Sequence, residues 1–244
     1  MNKNILMIMV GGGLASYTHA QHEFSVAVGA NASPITGPAD GVTQYAYFGQ
    51  NTSVTAKTDA QMGWTASVQY AYYVTPHWKP YLKYARTSVN CNSSSVIVDS
   101  FSDEPYYQGT ENVDYNILRT SLSYGLAYEW NNGFGISLGI TSNNLNKLTL
   151  DGIGQEQYFD ESMIDSNRNF TIEDEYDLTT SSSNLEFGLI YRIGNFTIEF
   201  LQQTANLEEV SNHWRTMGWN PTNDSPGTVG TSNFLLGYSY FISK

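Results

Sequence analysis

Between Asn116 and Thr141 the chain alternates, one residue apolar and the next small or polar. Leu118, Thr120, Leu122, Tyr124, Leu126, Tyr128 and Trp130 share one side, and Arg119, Ser121, Ser123, Gly125, Ala127 and Glu129 the other. After Asn131-Asn132-Gly133 the alternation resumes with Phe134, Ile136, Leu138 and Ile140, separated by Gly135, Ser137 and Gly139. A period of two predicts strands with one apolar face. Asn-Gly between two such runs predicts a hairpin, since both residues tolerate positive φ. The apolar face is long for a soluble sheet and the opposite face is small and polar, which suits an outside against lipid and an inside against a polar lumen.

The rest of the chain repeats the pattern. Phe24, Val26, Val28 and Ala30 mark a first strand, and Met62, Trp64, Ala66, Val68, Tyr70, Tyr72 and Val74 a second. Thr75 to Pro80 reads as a turn with two prolines, followed by a strand from Tyr81 to Ser88 with Leu82 and Tyr84 outward and Lys83 inward. Beyond the central hairpin, Leu185 to Ile193 and Phe196 to Leu201 flank Gly194-Asn195, and Phe234, Leu236, Tyr238 and Tyr240 mark the last strand. Four polar stretches, about 31–61, 89–113, 143–183 and 205–230, join these strands on one side, and three tight turns join them on the other.

Strict alternation of long and short connections is expected of a closed antiparallel up-and-down transmembrane β-barrel with short periplasmic turns and long extracellular loops. The count is eight strands, or ten if the β-prone segments Val42 to Ser53 and Val96 to Val98 join the wall; extension of existing strands is the preferred reading of both. Trp78, Tyr81, Trp130, Phe134, Tyr191, Phe196 and Tyr240 lie near the short turns or the C-terminus and are expected to form the periplasmic aromatic girdle.

Composition narrows the picture. Charged residues make up 14% and aromatics 14%, and the formal charge of −12 argues against nucleic acid as a partner. No apolar run reaches the roughly 18 residues of a helical span. Residues 1–20 carry Lys3, a short apolar run from Ile5 to Leu14 and Thr18-His19-Ala20, so a secretory signal cleaved before Gln21 is expected, leaving 21–244 as one barrel domain. Cys91 is the only cysteine and cannot form an internal disulfide; it is expected to be a bystander in a loop.

Several stretches carry a family resemblance: Tyr70-Ala71-Tyr72-Tyr73-Val74-Thr75-Pro76-His77-Trp78, Leu126-Ala127-Tyr128-Glu129-Trp130, Phe187-Gly188-Leu189-Ile190-Tyr191-Arg192 and Leu236-Gly237-Tyr238-Ser239-Tyr240-Phe241. In these the chain resembles the small bacterial outer-membrane β-barrels of the OmpA-like or "porin family" type, over essentially all of 21–244. The resemblance marks architecture more than activity, and implies export to a Gram-negative outer membrane. One departure is that Ile242-Ser243-Lys244 follow Phe241, where such proteins usually end on an aromatic residue.

Strand parity points Lys83, Arg119, Glu129, Glu186, Arg192 and Glu199 into the lumen, three of each sign. An eight-stranded barrel is just wide enough for side chains to fill its interior, and buried charges must pair. A salt-bridged plug is therefore expected, with rearranging pairs that gate a narrow pore as the alternative.

The third loop is acidic, with Asp151, Glu156, Asp160, Glu161, Asp165, Glu173, Asp174, Glu175 and Asp177. Asp165-x-Asn167-x-Asn169 begins like a calcium loop, but Phe170 replaces the turn glycine and Tyr176 stands where a bidentate Glu is needed. No metal ligand set or cofactor is assigned; diffuse divalent binding beside lipopolysaccharide phosphates is the weaker alternative. His213, Ser211 and Glu208 or Glu209 share the fourth loop without a nucleophile elbow or a metal-ligand His pair, so no catalytic residue is assigned.

The expected function is a monomeric membrane scaffold, embedded among outer-membrane lipid and lipopolysaccharide, that presents surface loops to a ligand or supports envelope integrity. A narrow pore for ions or small solutes is second, and a lipid-modifying enzyme third.

Overall fold

A computed structural model describes residues 20–32, 35–36, 41–47, 50–101, 104–158, 168–179, 181–206 and 228–243. Eleven strands are described: β1 (Ala20–Ala32), β2 (Ile35–Thr36), β3 (Gly41–Tyr47), β4 (Gln50–Tyr72), β5 (Trp78–Phe101), β6 (Glu104–Glu129), β7 (Phe134–Tyr158), β8 (Arg168–Asp177), β9 (Ser181–Ile193), β10 (Phe196–Asn206) and β11 (Thr228–Ser243). Eight of them close a ring in the order β1-β4-β5-β6-β7-β9-β10-β11, with β11 pairing back onto β1. Every neighbouring pair is antiparallel. β2, β3 and β8 lie off the ring, on β11, β4 and β7 respectively.

The tight turns gather at one end of the ring. Gly133, at φ 85°, follows β6 and donates its N–H to the Trp130 carbonyl at 3.0 Å; Gly194, at φ 60°, begins the β9–β10 turn. Both take the left-handed conformation that a Cβ disfavours. Between β4 and β5, Thr75 Oγ1 accepts the N–H of Trp78 at 3.0 Å. β5 nevertheless begins at Trp78, three residues earlier than expected, with Pro80 opposite Leu126. A proline is tolerated there because it falls at the start of the strand.

At the other end, strands run well into the stretches expected as loops. β4 starts at Gln50, β5 reaches Phe101, β6 begins at Glu104 and β7 reaches Tyr158, so much of 31–61, 89–113 and 143–183 is wall rather than loop. The ring stays at eight: Val96 to Val98 belong to β5, and of the segment Val42 to Ser53 the described residues 42–47 lie in β3 and pair with 50–55 of β4, off the ring. Residues 1–19 and 207–227 lie outside the described residues, and with them most of the expected signal segment and His213, Ser211, Glu208 and Glu209.

The faces of the wall swap polarity along a single strand. Near the turns, β6 directs Leu122 (46% exposed), Tyr124 (55%) and Leu126 outward and buries Arg119, Ser121, Ser123 and Glu129 inside. Farther along, the same strand buries Val113, Tyr115 and Ile117 and turns Asn112, Asp114 and Asn116 outward. No register shift separates the two zones in its pairing with β5, which is continuous from Trp78 to Asp99. The inward face is therefore polar at the turn end and apolar beyond it.

The apolar part is a core of Val89 and Cys91 from β5, Val113, Tyr115 and Ile117 from β6, Leu145, Leu148 and Leu150 from β7, and Leu178. Leu145 and Leu148 can both point inward because the β6–β7 register shifts between them, leaving Asn146 as an extra residue. The Asn146 carbonyl accepts the N–H of Leu178 at 3.0 Å, drawing Leu178 onto the core. Cys91 is thus a strand residue inside this core rather than a loop bystander, and burial pushes its thiol up to about 12.

Candidate functional site

The lumen is filled from the wall inward, in layers. In the layer nearest the turns, Glu23 of β1, Lys79 of β5, Glu129 of β6 and Arg192 of β9 form a closed square. Arg192 bonds Glu129 through Nε at 3.1 Å and Nη2 at 3.0 Å, and reaches Glu23 with Nη2 at 2.6 Å. Lys79 Nζ completes the square, 2.7 Å from Glu23 and in contact with Glu129. Tyr73 donates to Glu23 at 3.1 Å, and Ser239 accepts from Arg192 Nη1 at 2.9 Å while donating to Glu23 at 2.8 Å. Each charge faces two of opposite sign, the condition for holding ions in a confined site.

The next layer centres on Glu186 of β9, which is fully buried. Its carboxylate accepts from five donors: Lys83 at 2.9 Å, Tyr81 at 3.0 Å, Ser123 at 2.6 Å, Thr141 at 2.8 Å and Gln203 at 2.5 Å. Lys83 also pairs with Glu199 of β10 at 3.0 Å. Arg119 lies beyond and forms no ion pair among the described residues. Its Nη2 donates to the side-chain oxygens of Gln203 at 2.9 Å and Thr231 at 3.0 Å, so Gln203 relays between Arg119 and Glu186. The lumen also holds a neutral cluster in which Thr65 donates to Asn233 at 2.7 Å and Asn31 donates to Thr65 at 3.2 Å and to the Ser88 carbonyl at 3.1 Å.

Of the six lumen charges read from parity, five are ion-paired as described, and Arg119 is the exception. Two members of the site were missed. Glu23 sits one residue before the first apolar residue of its strand, and Lys79 falls in the proline-flanked turn that the sequence predicts. The signal for both was available: Glu23 shares parity with inward-facing Ser25 and Ala27, and Lys79 with Lys83. With them the charges balance, Lys79, Lys83, Arg119 and Arg192 against Glu23, Glu129, Glu186 and Glu199.

Of the expected girdle, Trp78, Trp130, Phe134, Phe196 and Tyr240 are exposed on the outer wall near the turns, and Tyr191 is half-buried against Phe134 with ring centroids 4.5 Å apart. Tyr81 does not belong to it. Its odd number puts it on the inward face with Lys83, where it is buried and bonded to Glu186. Tyr128 takes its place outside, in edge contact with Trp78 and Trp130.

In the extension, the outward face of β8 carries Glu173, Glu175 and Asp177, and Glu173 lies opposite Asp151 of β7. Lys147 pairs with Glu175 at 2.6 Å. Among the described residues no group of side chains has a metal-ligating arrangement, and Asp160, Glu161, Asp165 and Asn167 lie outside them.

No family model matches the chain, and no curated protein matches it. Among solved structures, Ail, the attachment invasion locus protein of Yersinia pestis, in complex with the heparin analogue sucrose octasulfate, is 14% identical, with 90% of this chain and 99% of that chain covered and a TM-score of 0.40. The translocator domain of autotransporter NalP from Neisseria meningitidis is 8% identical over 97% of this chain and 95% of that one, with a TM-score of 0.20. The toluene transporter TbuX of Ralstonia pickettii is 10% identical over 94% and 91%, with a TM-score of 0.19. At such values, function has to be read from this chain's own side chains.

Proposed function

We propose that the chain is an integral barrel of the bacterial outer membrane, closed to solutes through its middle, whose working surface is the sheet and loops beyond the membrane. The observation that carries this is the reversal of polarity along β6. Where the outside is apolar the inside is ionised, and where the outside turns polar the inside becomes an apolar core. A strand crossing from lipid into water needs this reversal, since lipid rewards the outer apolar face and water rewards burying it.

The outer belt supports the same reading. On β11 the exposed apolar run extends from Phe234 to Ile242, close to the roughly 9–11 residues a tilted membrane strand requires. Ring closure leaves no unpaired edge at that level, as the hydrocarbon demands. Surrounding lipid and lipopolysaccharide are the natural partners of the belt, and a surface ligand is the natural partner of the extension.

A scaffold is favoured over a pore because Arg119 is 1% exposed, Lys83 2% and Glu186 0%, and every strand of the ring contributes a buried side chain to the interior. Localisation and assembly test the proposal together. Expressed with its N-terminal segment in a Gram-negative host, the chain should fractionate with the outer membrane and migrate faster on gels before boiling than after. Recovery as a soluble periplasmic protein with no such shift would contradict it.

A further inference from the structure

We infer that the lumen binds water at the level of Arg119. Arg119 is buried and its Nη2 is committed to Gln203 and Thr231, but its Nε and Nη1 have no acceptor among the described residues. Among the described residues Asp99, Ser121, Ser137 and Asn143 share this condition, and two of them adjoin Arg119 in the strand register. Ser121 is the next inward residue on β6, and Asn143 lies directly opposite it on β7. Both are buried, and Ser121 Oγ and Asn143 Oδ1 have no partner among the described residues. The orientation of Asn143 is set by its amide, which donates to the Thr204 carbonyl at 3.1 Å, so Oδ1 is an acceptor.

Buried polar groups in folded proteins are almost always satisfied, by protein or by a bound molecule. The chemistry of these three groups selects the molecule. The guanidinium offers donors and the amide oxygen an acceptor, so the ligand must both accept and donate. An anion accepts only and would face the Asn143 oxygen. A metal cation is repelled by Arg119. Water meets every requirement.

The neighbouring levels differ. Towards the turns the Glu186 carboxylate takes five donors, and the charged square is internally paired. On the other side, the next inward residues of β6 are Ile117 and Tyr115, within the apolar core. On the β6 side the wet station therefore lies between a salt-bridged layer and an apolar core. This deepens the closed-lumen proposal.

The test is a crystal structure of the whole chain refolded in detergent, at a resolution that places waters, with a second crystal soaked in bromide. The expected result is a density peak within about 3.2 Å of Arg119 Nε or Nη1 and of Ser121 Oγ or Asn143 Oδ1, with no anomalous signal from bromide there. An anomalous peak would replace water with an anion and overturn the inference. So would the absence of any peak at those atoms, whether or not Arg119 has swung to a protein acceptor. Density at this position is independent of conductance, so failure here leaves the closed-lumen reading to its own test.

Discussion

Arg192 on β9 and Glu129 on β6 meet across the lumen in a fork, Nε to Oε2 at 3.1 Å and Nη2 to Oε1 at 3.0 Å, although β7 separates their strands in the wall. Two parallel charge-assisted bonds fix the angle as well as the distance. Replacing Arg192 with Met leaves Glu23 and Glu129 sharing only Lys79. The expected loss is about 3–5 kcal/mol, the usual cost of breaking a buried pair. Urea unfolding of the refolded barrel in detergent measures it. The double variant Arg192→Met, Glu129→Met should lose less than the sum of the two single variants, because they share one interaction.

Glu186 and Glu199 both pair with Lys83, yet their surroundings differ. Glu186 is enclosed by five donors, whereas the Glu199 side chain retains 14% exposure. Glu186→Gln should cost about 3–5 kcal/mol, while Glu199→Gln should cost about 1 kcal/mol or less. The same unfolding measurement ranks them. Equal losses would mean that Lys83, not the saturated carboxylate, organises this layer.

Tyr81 reaches Glu186 over two glycines that face each other, Gly125 on β6 and Gly139 on β7. A Cβ on either would come within 2.7 Å or 2.5 Å of the Tyr81 hydroxyl and crowd the neighbouring backbone. Gly125→Ala should therefore destabilise by about 1–3 kcal/mol through overpacking. Tyr81→Phe, which removes only the hydroxyl, should cost about 1.5–3 kcal/mol for the lost bond to a carboxylate.

Residue parity made most of this site legible. Once the strands were placed, alternation assigned Lys83, Glu129, Glu186, Arg192 and Glu199 to the lumen. It failed where a strand was begun too late, as with Glu23 and Lys79, and where a second criterion overrode it, as when proximity to a turn put Tyr81 in the girdle. Arg119 faced inward as expected, but parity cannot see that Gln203 and Thr231 would occupy its Nη2. The long extension reads as loop in the sequence because its alternation is inverted: Val89, Cys91, Val113, Tyr115 and Ile117 point in while asparagines point out. A rule that seeks apolar residues on the lipid side stops at that inversion. The extra residue Asn146, which shifts β7 from odd to even parity, hid its continuation further.

Glu111 on β6 lies in the extension, where burial raises its carboxyl above the ordinary value; the Ser95 hydroxyl offsets this in part, and Glu156 adds to it. A carboxyl with a folded pKa above its unfolded value holds its proton more tightly in the native state. Its penalty is absent below the unfolded value near about 4.3 and grows as pH rises through that range towards the folded pKa. Glu111→Gln should therefore stabilise the barrel at neutral pH and make no difference at about pH 3.5. Unfolding midpoints of both proteins across that interval test this; a gain that persists at low pH would assign the effect to packing.

The central claim is a membrane-spanning barrel whose lumen is shut by its own side chains. Single-channel recording of the refolded chain in a planar bilayer, at high and low salt, tests it most directly, using protein whose folding is verified by its faster gel mobility before boiling. The account predicts no discrete conductance steps. Discrete, salt-dependent steps from that same protein would contradict it, and would make the Glu23–Lys79–Glu129–Arg192 square a gate rather than a seal.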